Sequence, residues 1–124
     1  MPEQPATISY IELPATELKD TKSFYTAVFG WSWVDYGPNY AAFAGAGIDG
    51  GFNTEATPAT PHESGAESSN GPFVLFAAND LGAMERKIRD AGGEIVSGPY
   101  AYPGGNRFHF RDPSGNILGV YKSG

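Results

Sequence analysis

The chain contains no cysteine, which excludes disulfide bonds and thiolate metal sites from the start. Basic residues are scarce: eight Lys and Arg stand against fourteen Asp and Glu, for a formal net charge of −6. Those eight are scattered. Nucleic acid needs a basic face to neutralise its phosphates, so no nucleic-acid partner is expected. Acidity by itself mostly serves solubility, and its sharper reading is a preference for cationic or neutral ligands. No apolar run approaches the roughly 18 residues of a membrane span, so no membrane partner is expected. The opening stretch MPEQPATISY has neither a basic start nor an apolar run. No secretory signal is therefore expected, and the default location is cytoplasmic.

Glycine and proline, in contrast, are plentiful, at 17 and 10 of 124 residues, which predicts a turn-rich fold with short strands. Apolar residues make up 40%, with eight Phe and seven Tyr, as suits a packed globular chain. The length fits one domain that buries about two-thirds of its unfolded surface.

The chain repeats itself. TELKDTKSFYTAVFGW, starting at Thr16, matches NDLGAMERKIRDAGGE, starting at Asn79, at an offset of 63 residues. Each opens with a polar capping candidate, Thr16 or Asn79, then an acid, Glu17 or Asp80, then a leucine. Leu81, Met84, Ile88 and Ala91 fall on one helical face, as do Leu18, Thr21, Tyr25 and Val28, with Phe24 widening the stripe. Both segments end at glycine, Gly30 or Gly92-Gly93, as a left-handed C-terminal cap requires. Strands are expected at 8–13, 31–36, 40–46 and 48–53 around the first helix, and at 72–77, 94–102, 106–111 and 116–121 around the second. The pattern is βαβββ, twice. Residues 54–72, rich in Pro, Ser, Thr, Glu and Gly, read as a linker or mobile loop; His62 within it reads as solvated. Each half is too small to bury its strands alone, so the two should share one sheet system.

Alternation along the strands sorts side chains onto two faces. Ile11, Leu13, Val74, Phe76, Phe108, Phe110, Leu118 and Val120 are expected to meet the helices. The opposite face then carries Tyr10, Glu12, Phe73, Leu75, Arg107, His109, Arg111, Ile117, Gly119 and Tyr121. Gly119 stands out there, because glycine inside a strand marks a close approach or a space kept open.

Paired βαβββ modules, FYTAVFGW closing the first helix and RDPSGN before the last strand resemble the vicinal oxygen chelate superfamily, which includes glyoxalase I, extradiol dioxygenases and bleomycin-resistance proteins. YIELPATELKDTKSFYTAVFGW is most similar to the uncharacterised relatives of lactoylglutathione lyase. The resemblance runs from about Ile8 to Tyr121. It implies an α+β fold: a single domain over 1–124 built of two βαβββ modules, about 7–54 and 72–122, joined by the 54–72 linker and forming a curved, cup-shaped mixed sheet. It also implies a homodimer, with modules pairing within one chain or swapped between two.

In metal-dependent members, each module supplies ligands, usually His and Glu, from its first and last strands. Those positions fall here on Tyr10, Phe73 and Gly119, with Asp49 or Gly50 at the fourth. Phenylalanine and glycine carry no donor, and tyrosine is a poor ligand for an ion that prefers imidazole or carboxylate. No metal or other cofactor is therefore expected, and Gly119 would mark an empty ligand slot. A set of Glu12, Asp49 and His109 is the alternative way to hold an ion.

Glu12 reads either as a solvated strand residue paired with Arg107 or Arg111, or as a carboxylate in an aromatic cup, raised in pKa and able to move a proton. His109 reads as structural or as a ligand contact. Tyr10, Phe73 and Tyr121 read as core filler or a stacking wall, and Tyr100 and Tyr102 as an edge of the cup or the brace of a bend. Residues 112–116 read as turn chemistry without a catalytic role. The leading expectation is a metal-independent protein that binds a small molecule through Tyr10, Glu12, Phe73, Leu75, His109, Gly119 and Tyr121. The competitors are a glyoxalase-like lyase or isomerase acting on a small carbonyl compound with Glu12 as catalytic base, and a non-catalytic structural or regulatory module. Ordinary metal-dependent glyoxalase I activity is not expected.

Overall fold

The computed structural model describes residues 6–56 and 72–123. Most of the expected linker, with His62, lies outside the described residues. The first half forms β1 (Tyr10–Pro14), α1 (Leu18–Phe29), β2 (Ser32–Asp35), β3 (Tyr40–Ala44) and β4 (Asp49–Asn53). The second forms β5 (Leu75–Ala77), α2 (Leu81–Asp90), β6 (Glu94–Tyr102), β7 (Gly105–Arg111) and β8 (Ile117–Ser123). The strands make two four-stranded mixed sheets of the same order, β1-β4-β3-β2 and β5-β8-β7-β6, so the repeat is topological as well as sequential. In each, the first strand runs parallel to the last and the other pairings are antiparallel.

Both helices form where the apolar stripes fall, but each is capped one residue later than expected. Glu17, not Thr16, accepts from the Lys19 amide at 3.3 Å, and Asp80, not Asn79, accepts from the Ala83 amide at 3.0 Å. Carboxylates at these positions satisfy free first-turn amides directly. Thr16 is used elsewhere: its amide donates to Ser114 Oγ at 3.0 Å. Gly30 closes α1 at φ 74°, donating its amide to the Thr26 carbonyl at 3.0 Å.

One apolar core unites the halves. Tyr25 of α1 stacks on Trp31 (ring centroids 4.8 Å apart) and tilts against Phe52 of β4 (5.0 Å). Phe24 meets Phe110 of β7 (6.1 Å), and Phe29 stacks on Phe76 of β5 (4.2 Å). Thus α1 touches both sheets. Ile88 of α2, Phe108, Leu118 and Val120 complete the core. The expected helix-facing residues of β7 and β8 are all buried within it.

The RDPSGN turn clasps this packing. Asp112 Oδ1 accepts from the Ser114 and Asn116 amides, both at 2.9 Å; Oδ2 accepts from the Tyr25 hydroxyl at 2.7 Å and Asn116 Nδ2 at 3.0 Å. Asn116 Nδ2 also donates to the Pro14 carbonyl at 2.8 Å, and Ser114 Oγ meets Thr21 Oγ1 at 3.1 Å. Burial pushes the Asp112 carboxyl up, against hydrogen bonds from Asn116, Tyr25 and Ser114 that favour ionisation. These contacts make the turn structural, since they tie the second half to α1 and to the end of β1.

The helix-side faces of both sheets line this one core, which leaves their opposite faces, the candidate cup surfaces, outside it.

Candidate functional site

On the outer face of β1–β4, strand register groups Tyr10 and Glu12 with Asp49, Gly51 and Asn53 of β4 and Tyr40 and Ala42 of β3. The Tyr10 and Tyr40 hydroxyls share a short hydrogen bond. Asn53 Nδ2 donates to Glu12 Oε2 at 3.3 Å. Desolvation, then contacts with Tyr10 and Glu12, push the Tyr40 phenol well above the usual tyrosine range, so it stays a hydrogen-bond donor. Glu12 is exposed, not enclosed by aromatic side chains, and its partners are Asn53 and Tyr40 rather than the expected Arg107 or Arg111.

On the outer face of β5–β8, Leu75, Gly119 and His109 lie side by side in register, as do Tyr121, Arg107 and Tyr100. His109 is buried, with Nε2 2.9 Å from the Tyr100 hydroxyl and its ring 4.7 Å from that of Phe73. Arg107 Nε donates to the Tyr100 hydroxyl at 2.5 Å. Its guanidinium carbon lies 5.8, 5.5 and 5.1 Å from the ring centroids of Phe73, Tyr100 and Tyr102. Tyr100 and Tyr102 thus build the floor of this face around an arginine. Arg111 is ion-paired with Glu94 at 2.6 Å.

Gly119 is not an empty slot. A Cβ there would lie 2.6 Å from Leu75 Cδ2 and 3.0 Å from Phe73 Cζ, so those apolar side chains already fill the space. Register also corrects the fourth ligand position. Leu75 faces Gly119 across β5 and β8; its counterpart 63 residues earlier, Glu12, faces Gly51 across β1 and β4. The match to Gly119 is therefore Gly51, neither Asp49 nor Gly50, and a Cβ on Gly51 would sit 2.5 Å from the Tyr40 hydroxyl oxygen. Gly50 faces the core instead, where a Cβ would collide with the Ile11 carbonyl and the Phe43 ring. A family-type divalent ion does not fit these residues: Phe73, Gly119 and Gly51 have no donor, and the Tyr10 hydroxyl is engaged with Tyr40. The alternative set is split, with Glu12 and Asp49 on one outer face and His109 on the other. Among the described residues no three His, Asp or Glu side chains gather as a metal site.

Strand alternation places Arg107 on the outer face but does not reveal the three rings around it. The signal lay in YAYPGGNRF, where Tyr100 and Tyr102 precede the arginine by a hairpin's length. Register shifts in β6, between Ile95 and Ser97 and between Ser97 and Tyr100, hid the facing.

A family model described as Glyoxalase/Bleomycin resistance protein/Dioxygenase superfamily matches residues 7–120. The chain belongs to this superfamily. Among curated relatives, the anthracycline biosynthesis protein DauV of Streptomyces sp. (strain C5) is 27% identical over 97% of this chain and 48% of its own. The chain therefore spans about half the length of that relative. Among solved structures, a glyoxalase-related enzyme from Fulvimarina pelagi superposes with a TM-score of 0.73 at 19% identity, over 94% of this chain and 88% of that one. TnmS3, an antibiotic binding protein from Streptomyces sp. CB03234, does so with a TM-score of 0.69 at 18% identity, over 98% and 99%. At these identities the two structures speak for the glyoxalase/bleomycin resistance fold, not for an activity.

Proposed function

We propose that the protein binds a small organic molecule without a metal ion, in an aromatic cup closed between two copies of the chain. One observation carries the metal-free part: in both halves the last-strand ligand position is a glycine whose side-chain space is taken by a neighbour, Tyr40 above Gly51 and Leu75 with Phe73 above Gly119. The cup keeps its aromatic walls and has replaced its donors with packing. In a homodimer the outer face of β1–β4 from one copy can oppose the outer face of β5–β8 from another. Relatives described as an antibiotic binding protein and an anthracycline biosynthesis protein fit a small organic ligand. The reading of Glu12 as a proton-transfer base has less support, since that carboxylate is exposed and held by Asn53.

Elemental analysis of protein purified without chelator tests the metal-free part. Zinc, nickel, manganese and iron are expected well below one ion per chain; any one of them at stoichiometry would overturn it.

A further inference from the structure

We propose that Arg107 is the anchor for an anionic group, a carboxylate or sulfonate, carried by an aromatic ligand lying against the outer face of β5–β8. The inference rests on the small-molecule reading above and names the chemical class of its ligand.

The two arginines on this face are treated differently. Arg111 is neutralised by Glu94 at 2.6 Å, whereas among the described residues no carboxylate lies within ion-pair distance of Arg107. Instead the Arg107 guanidinium is wrapped by Phe73, Tyr100 and Tyr102, at 5.1–5.8 Å from each ring centroid. Ring faces attract the cation and hold its plane in one orientation, but they offer no counter-charge. The Nε–H is spent on Tyr100, whose hydroxyl also meets His109. That side contact fixes the group from behind and, among the described residues, leaves the terminal nitrogens, whose fork matches two oxygens of a carboxylate or sulfonate in a bidentate pair. Partial burial of a charge without a charged partner costs stability, so packing alone would favour a neutral residue here. A negative group brought from outside resolves that cost.

The surroundings fit the rest of such a ligand. Gly119 lets Leu75 and Phe73 lie down across β8, and Tyr121 stands opposite Arg107 in the ladder, so an apolar shelf adjoins the guanidinium. The chain carries a net charge of −6, which disfavours anions generally. Arg107 would then select an anion at one point of a surface otherwise unsuited to it, opposite to the preference for cationic or neutral ligands that composition suggests.

Two dyes of similar shape separate the contributions: anilinonaphthalenesulfonate, which carries the anion, and phenylnaphthylamine, which is neutral. Fluorescence titration of the full chain should show tighter binding of the sulfonate. Arg107→Gln should weaken the sulfonate by about tenfold or more and the neutral dye by about twofold at most. Arg107→Lys should fall between, because a point charge replaces the fork. If Arg107→Gln does not fold, salt supplies the second arm: rising ionic strength should weaken the sulfonate and spare the neutral dye. Equal binding of the two dyes, equal loss of both in Arg107→Gln, or sulfonate binding indifferent to salt and substitution would overturn the anion anchor while leaving the aromatic cup intact. Loss of self-association in Arg107→Gln with sulfonate binding unchanged would assign the arginine to the contact between copies and also overturn it. Binding of neither dye by the unmodified protein would overturn both the anchor and the small-molecule reading.

Discussion

Tyr25 occupies the crossing point of the molecule, its ring between Trp31 and Phe52 and its hydroxyl on Asp112. Burial, then the neighbouring Asp112 charge and their hydrogen bond, hold its phenol well above the ordinary tyrosine value. The native state thus keeps this proton where the unfolded chain loses it. Stability from Tyr25 is fully present below about pH 10 and falls as pH rises further, by about 1.4 kcal/mol per pH unit. Tyr25→Phe should cost about 1–3 kcal/mol near neutral pH by removing a buried donor from Asp112. Its deficit relative to the unmodified protein should shrink above about pH 10, where the hydroxyl becomes a liability. Urea denaturation of both proteins across that range measures this; a deficit that stays constant with pH would refute it. At the same scale, Gly119 was legible as a special position because a strand glycine has few uses. Its use was not, because what fills the space is Leu75 of β5 and Phe73 just before it, more than forty residues away. Gly51 went unnoticed for a related reason: alternation assigns a face, whereas matching it to Gly119 requires the pairing of β1 with β4.

Helix positions followed from apolar spacing, since Thr21, Phe24, Tyr25, Val28 and Ile88 are the residues the core buries. The caps shifted by one residue because an acid beside a polar neighbour offers two cap positions, and the choice depends on which amides each can reach. Asp80→Ala should lower stability by about 1 kcal/mol, and Asn79→Ala by much less, because Asp80 alone accepts the Ala83 amide. Thermal denaturation of the two variants decides the point; the reverse order would restore Asn79 as cap. The strands also stand close to their expected spans. β5 departs most, with three residues where six were expected, while β6 keeps its span but carries two register shifts that break the simple alternation that would have grouped Tyr100 and Tyr102 with Arg107.

At the scale of the whole molecule, the aromatic side chains of α1 and the Asp112 clasp join the halves through their helix sides. The outer face of β1–β4 leaves Tyr10 49% and Val34 55% exposed, and Ile8 and Tyr36 continue the same alternation at 82% and 65%. Large apolar residues gathered on one face favour burial against another surface. Val34→Lys should shift the protein toward monomer, weakening self-association by about tenfold or more, with its circular dichroism unchanged because the side chain is outside the core. Light scattering over a dilution series measures it. A protein that is monomeric without the substitution would remove the dimeric cup from the proposal and leave the Arg107 face to stand alone.

The sequence by itself determined the repeated βαβββ pattern, the helical stripes and the two faces of each strand, because periodicity is set locally by backbone geometry. It also determined that donors are missing at Phe73 and Gly119. Only the tertiary structure decided that Gly51 is the fourth position, that the glycine spaces are filled, that three rings surround Arg107 and that one core takes the helix side of both sheets. Those features depend on strand register and on which faces the core consumes, and both are settled by contacts between residues far apart in the chain.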